Sequence, residues 1–229
     1  MKFDWLAKYW PLLIDGAFQT VALLVISVSL GFLLAIGLAF AQVSGGCVLR
    51  SLARWFSTVF RGTPLLIQLW LLYYGIGSLL PMVPGLRQSF LWPLLREGFF
   101  FAAVSFTLNY AAYEAEVLRG ALLSVPKGEL EAGRALGMSR LTVVRRIWLP
   151  RAIRIALPTI AGEVVLQLKA TPLAFTVTVM DLYAVAYKIR QDTLLVYEPL
   201  LVVTLFYVAL TALITRAFGV VEAQVPIRR

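Results

Sequence analysis

From Val21 to Ala41 the chain runs without one charged side chain. That length is close to the ~20 apolar residues a helix needs to cross the hydrocarbon core of a bilayer. Five such segments can be drawn, at about residues 20–41, 55–80, 98–118, 153–173 and 194–218. Gly62-Thr63-Pro64 interrupts the second and Pro158 lies inside the fourth. Backbone groups in hydrocarbon must pair within their own segment, so helices are the open-chain way across. The expected fold is an all-α integral membrane protein, one domain over residues 1–229 with five transmembrane helices.

Composition agrees: 60% of residues are hydrophobic and 14% charged, against about half and a quarter in soluble domains. The net charge of +9 flanks the apolar segments, where basic residues orient the chain and meet anionic lipid. Nucleic-acid binding is therefore not expected. With Cys47 as the one cysteine and no histidine, an intrachain disulfide, Cys/His metal sites and Ser/His/Asp catalysis are excluded. No GxxxxGK[ST] loop is present to cradle ATP, so the chain reads as a non-enzyme. The segment before Ala41 is too long for a signal-peptide core, and Asp4 and Asp15 offset Lys2 and Lys8; it reads as a retained first span.

Lys and Arg set the expected orientation. One side carries Arg50, Arg54 and Arg61, then Arg119, Lys127, Arg134, Arg140, Arg145, Arg146, Arg151 and Arg154, then Arg216, Arg228 and Arg229. On the other side Lys2, Lys8, Arg87, Arg96, Lys188 and Arg190 are offset by Asp4, Asp15, Glu97, Asp181, Asp192 and Glu198. The N-terminus is expected outside and the C-terminus in the cytoplasm. Trp5, Tyr9 and Trp10 suit an interfacial helix ahead of the first span.

The longest polar interruption, residues 128–150, then faces the cytoplasm. Glu129 to Leu136 is a run of helix formers with acids in its first turn, and Gly137 ends it. Ser139 can cap a second helix from Arg140 to Leu149, which Pro150 is expected to break before the fourth span. Such a helix–Gly–helix elbow can dock a partner protein or be a plain solvated loop.

Glu131-Ala132-Gly133, Gly137 and Ile147-x-Leu149-Pro150 resemble the "EAA" signature of ABC-importer permease subunits, with Gly133 where that family usually has alanine. Arg61-Gly62-Thr63-Pro64-Leu65-Leu66-Ile67-Gln68 and Phe106-Thr107-Leu108-Asn109 resemble segments of polar-amino-acid permeases. So do Ala112-Tyr113-x-x-Glu116 and Arg119-Gly120-Ala121. Arg154-Ile155-Ala156-Leu157-Pro158 and Leu173-Ala174-Phe175-Thr176 look like the "M"-type permease of histidine, lysine, arginine, ornithine and opine importers. The resemblance implies a type I ABC-importer transmembrane domain in a bacterial inner membrane. Its elbow would be the coupling helix, with Glu131, Ala132, Gly133, Arg134, Gly137, Ile147, Leu149 and Pro150 as ATPase-coupling positions. It also implies partners: a second related permease subunit, two cytoplasmic ATPase subunits that bind ATP and Mg²⁺, and an extracytoplasmic substrate-binding protein. No cofactor is implied in this chain.

Ionisable residues inside a membrane are costly and are functional candidates by default. Glu163, Gln167 and Lys169 fall in the fourth segment; Glu114, Glu116 and the deeper Asn109 fall in the third. Glu163 and Gln167, four apart, share a helical face that continues to Thr171. Glu163 is the leading candidate for contact with a substrate ammonium or guanidinium, with Gln167, Thr171, Asp181 and Asn109 beside it. A structural ion pair between Glu163 and Lys169, or a hydrogen bond at a subunit interface, is the competing reading. Asp181 equally suits a helix cap, and Glu116 suits a pair with Arg119 one turn on. The function expected is an amino-acid permease for basic amino acids or opines. The alternative is an ion-coupled transporter or channel subunit, although such proteins usually carry inverted repeats and none is seen here.

Overall fold

The computed structural model describes residues 5–224, all helix and connecting turns. Lys2, Asp4, Arg228 and Arg229, used above for orientation, lie outside the described residues. Helix α1 is Trp5–Ser44, one unbroken helix of 40 residues, so the expected interfacial helix and first span are continuous. Pro11 sits near its start and does not break it. The buried side of α1 repeats every three or four residues through Gly16, Thr20, Ser27, Gly31, Ala35 and Ala39. Small residues let two backbones approach where lipid supplies no hydrophobic drive between helices. A Cβ on Gly31 would lie 2.8 Å from Tyr110 Cδ1 and 2.9 Å from the Thr107 carbonyl oxygen. Glycine is therefore required there by the closeness of the neighbouring helix, α5 (Gly98–Ser124).

The second apolar segment differs from expectation. Helix α2, Cys47–Gly62, is a separate amphipathic helix, and the membrane-length run is α3, Leu65–Met82. Gly62-Thr63-Pro64 divides two helices instead of bending one. Proline at 64 forces residue 63 into extended backbone, and Thr63 has φ −116° and ψ 143°. A π turn at Leu71–Ile76 lies within α3. The short α4, Trp92–Leu95, precedes α5. The elbow's first helix is α6, Lys127–Ala135.

Helix α7 then runs without interruption over Arg140–Val177. This corrects the expected break at Pro150. A π turn at Val144–Trp148 shifts the backbone register, and Pro150 falls in the first turn of the following α-helical stretch, where a missing N–H costs least. The last turns of α7, Thr171–Val177, tighten to 3₁₀ geometry. Helices α8, Leu182–Thr193, and α9, Tyr197–Gln224, complete the chain.

Four of these helical runs, α1, α3, α7 and α9, are long and apolar enough to cross a membrane. Helix α5 has 27 residues, about 40 Å of helix, but carries Asn109, Glu114 and Glu116. It is the packing centre. Tyr110, Ala115, Leu118, Ala121 and Leu122 meet α1 and α7 in the largest apolar cluster. A second cluster joins the start of α1 to α8, and a third joins α3, α5 and the end of α7. Helix α9 buries only Pro199 and Val203 and leaves a long apolar face outside.

Candidate functional site: an interhelical cavity above an exposed elbow

Helices α3, α5 and α7 line an open cavity of about 280 Å³ formed by Leu65, Asn109, Tyr110, Tyr113, Glu163, Leu166, Gln167, Ala170 and Leu173. Three sequence candidates therefore come together: Glu163, Gln167 and Asn109. Two do not. Thr171 is fully buried, donates to the Leu168 carbonyl at 2.8 Å and shares a 3.0 Å bond with Tyr207. Asp181 is fully buried and caps α8, accepting from the Ala184 N–H at 2.8 Å.

The polar side chains of the cavity are held in place by backbone groups. Gln167 Nε2 donates to the Phe106 carbonyl at 3.0 Å and to Ser27 Oγ at 3.3 Å, tying α7 to α5 and α1. Asn109 Nδ2 donates to the Phe60 carbonyl at 3.2 Å and to Gln68 Oε1 at 3.1 Å. Gln68 Nε2 is shared among the Phe60 carbonyl, the Thr63 carbonyl and Thr63 Oγ1 at 2.8, 3.0 and 2.8 Å. The Arg61–Gln68 segment now has a physical explanation. The carbonyls at the end of α2 lack helical partners, and amide side chains of α3 and α5 supply them.

Glu163 is half-buried on the cavity wall. Among the described residues it makes no ion pair within 4.0 Å, so the competing reading of a structural pair with Lys169 is not met. Lys169 lies in a separate groove with Pro172, Thr204 and Tyr207. Arg61 lies 5.5 Å over the ring of Tyr113, a residue of the cavity wall. Glu116 pairs with Arg119 at 2.9 Å, as its spacing predicts, and with Arg61 at 3.9 Å. Sequence reading missed Tyr110 and Tyr113 as cavity walls. The available signal was their position beside Asn109, one helical turn apart on one face of α5.

The elbow divides its eight sequence candidates in two. Glu131, Ala132, Arg134 and Gly137 are exposed, while Gly133 is buried and Ile147, Leu149 and Pro150 are half-buried. The inward set locks the elbow to the spans. A Cβ on Gly133 would lie 2.7 Å from Ile147 Cδ1, the end of a flexible side chain, so alanine fits here once that methyl shifts. Arg151 donates twice to Glu129, at 3.0 and 2.7 Å. These hydrogen bonds hold the Glu129 carboxyl below its usual range. Trp148 Nε1 donates to the Leu122 carbonyl at 2.9 Å, and its ring meets Phe40 edge-on at 5.5 Å. Gly137 has φ +80°, a left-handed cap that turns the chain between α6 and α7. Ser139 caps α7 as expected, accepting from the Thr142 N–H. Leu136 and Leu141 stand 79% and 65% exposed beside Glu131 and Arg134. The sequence reading did not single out this exposed apolar pair.

Residues 27–225 match the family described as binding-protein-dependent transport system inner membrane component. The chain belongs to that family. The permease is 41% identical over 224 residues to the octopine transport system permease protein OccM of Rhizobium meliloti, covering 97% of this chain and 90% of that protein. It is 42% identical over 201 residues to the histidine/lysine/arginine/ornithine transport system permease protein HisM of Escherichia coli (strain K12), covering 85% and 82%. Among solved structures, an amino acid ABC transporter crystallised with histidines superposes with a TM-score of 0.80 at 27% identity, covering 98% of this chain and 99% of that one. An inward-facing methionine ABC transporter gives a TM-score of 0.76 at 20% identity, covering 96% and 98%, and shares the fold. The family resemblance read from the elbow is correct, and the permease has the type I ABC-transporter fold.

Proposed function

We propose that this permease is the membrane-spanning subunit of an ATP-driven ABC importer that carries basic amino acids or opines across a bacterial inner membrane. The observation that carries the cargo assignment is Glu163: a carboxylate on a cavity wall between helices, without an ion pair of its own. A cationic side chain or amine entering the cavity supplies the missing charge. The names of the relatives, octopine permease and histidine/lysine/arginine/ornithine permease, support that class.

In this reading the chain spans five times, α5 included, with the N-terminus outside and the elbow in the cytoplasm. Glu131, Ala132, Arg134, Leu136 and Leu141 contact a cytoplasmic ATPase. Gly133, Ile147, Leu149 and Pro150 transmit its movement through α7 to the cavity. The open side of the cavity and the bare face of α9 support pairing with a second permease subunit, of the same or a related kind. Two ATPases hold ATP and Mg²⁺, and an external binding protein delivers the cargo.

The test is reconstitution with a second permease, the ATPase and the binding protein in proteoliposomes. Uptake of labelled arginine or octopine is expected only with internal ATP, and Glu131→Ala is expected to reduce it at unchanged assembly. Uptake that proceeds without ATPase, driven by an ion gradient, would establish the transporter or channel alternative instead.

A further inference from the structure

Helices α1, α2 and α5 meet around a second open cavity, of about 350 Å³, which has no part in the transport scheme above. Its walls carry Arg54 and Arg61 from α2, and Glu116 and Arg119 from α5. Three guanidiniums against one carboxylate leave two positive charges unmatched. Glu116 Oε2 already takes Arg119 at 2.9 Å and Arg61 at 3.9 Å. Arg54 makes no ion pair within 4.0 Å among the described residues. Two hydroxyls stand beside these cations. Ser57 Oγ accepts from the buried Gln42 amide at 3.0 Å and keeps its own proton to give. Thr58 is exposed on the same wall.

The cavity lies where apolar segments end. The apolar run of α1 stops at Ala41, and Gln42 on the cavity wall follows it. The apolar part of α5 stops at Leu118, and Arg119 follows it. Arg61 comes four residues before Leu65, where the membrane-length α3 begins. Three spans therefore reach the same membrane boundary here, and the orientation proposed above makes it the cytoplasmic one. The two faces of α2 agree with that depth. Arg54, Thr58 and Arg61 follow helical spacing along the cavity, whereas Val48, Leu52 and Trp55 follow it on the opposite side and are exposed. An amphipathic helix of this kind lies in the boundary with its apolar face against acyl chains, and tryptophan favours headgroup depth.

We infer that this cavity binds the phosphate headgroup of an anionic phospholipid through Arg54, Arg61 and Arg119. The guanidinium fork matches phosphate oxygens with two parallel N–H···O bonds, and basic pockets between spans at the cytoplasmic boundary suit anionic headgroups. A zwitterionic headgroup brings a cation of its own to a wall that is already positive. An acidic protein surface would match the arginines but leave the apolar face of α2 in water, whereas a lipid matches both. The bound lipid bridges α2 to α5 and holds Arg61, whose guanidinium covers Tyr113 of the Glu163 cavity.

Native mass spectrometry of the assembled transporter in detergent micelles tests the site, with phosphatidylglycerol, phosphatidylcholine and glycerol 3-phosphate as probes. The parent complex is expected to retain phosphatidylglycerol in preference to phosphatidylcholine. Arg54→Gln removes the charge that has no ion pair. It is expected to lower phosphatidylglycerol retention about fivefold and leave phosphatidylcholine retention unchanged. Equal retention of both lipids by the parent overturns the site, as does undiminished phosphatidylglycerol retention in Arg54→Gln. Arg87→Gln, outside the cavity, is expected to change nothing; an equal loss there marks general surface charge and overturns the site. Displacement of the lipid by an equal concentration of glycerol 3-phosphate marks a site for free phosphate compounds and overturns the lipid assignment. Loss of the ATPase subunits from Arg54→Gln in lipid-free micelles marks a protein-docking surface and overturns it too. Should Arg54→Gln yield no folded permease, Thr58→Glu places an acid on the exposed wall. It is expected to lower phosphatidylglycerol retention severalfold, and unchanged retention overturns the site.

Discussion

Gln68→Leu should cost this permease far more than its place near a helix end implies. Its amide reaches the Phe60 carbonyl, the Thr63 carbonyl and Thr63 Oγ1 within 3.0 Å, and its Oε1 accepts from Asn109 at 3.1 Å. An NH₂ group has two hydrogens, so the three acceptors share about two full bonds, and the accepted bond makes three. At about 0.6 kcal/mol per bond in a membrane and about 1 kcal/mol for a typical protein hydrogen bond, the loss is about 2–3 kcal/mol. Asn109→Leu breaks the same network at two contacts and should cost about 1–2 kcal/mol. Because they share one bond and the Phe60 carbonyl, the double variant should fall short of the sum by about 0.5–1.5 kcal/mol. Unfolding free energies in mixed micelles provide the cycle. Additivity within about 0.3 kcal/mol, or a Gln68→Leu variant as stable as the parent, would refute the idea that these amides hold the α2–α3 break closed against α5.

Other consequences are equally direct. Gly137→Ala places a Cβ at φ +80° and should strain the elbow by about 1–2 kcal/mol, reducing substrate-stimulated ATP hydrolysis while leaving the membrane core folded. Gly31→Val drives a branched side chain into Tyr110 and the Thr107 carbonyl; overpacking of this kind costs about 1–3 kcal/mol, read as a lower melting temperature of the purified complex. Glu129, its carboxyl held low by Arg151, has a depressed folded-state pKa. Its contribution is therefore present above the unfolded carboxylate value of about 4.3 and is lost as pH falls through the folded one. The protection of α6 amides relative to their intrinsic exchange rates should fall on acidification in that range, and Arg151→Ala should remove that fall in protection.

The apolar runs located α1, α7 and α9 because lipid-length hydrophobicity is a local property of sequence. The elbow was legible for the same reason: Gly137 and Ser139 are local capping chemistry and each does in the structure what its chemistry implies, although the first helix begins at Lys127 and only Glu129 of the acids falls in its first turn. The second segment misled because α2 is amphipathic, and its apolar face merges in sequence with the start of α3. Only the extended backbone that Pro64 imposes on Thr63 separates them. Pro150 misled because a π turn at Val144–Trp148 precedes it and the helix continues through it. Thr171 shares a helix face with Glu163 but not its neighbours, and Asp181 is taken up as the cap of α8. Helical periodicity names the face of one helix, whereas the cavity is a property of three. For that reason Tyr110 and Tyr113 of α5 were not assembled into the site from sequence, whereas Asn109 on the same helix was picked out as a polar residue in an apolar segment.

The most direct test of the account is ATP-driven uptake of a labelled basic amino acid by the reconstituted transporter carrying Glu163→Gln. Removing one carboxylate charge at nearly constant volume should reduce uptake at least about tenfold, with subunit assembly and basal ATP hydrolysis intact. Uptake equal to that of the parent would contradict the claim that cargo passes by Glu163.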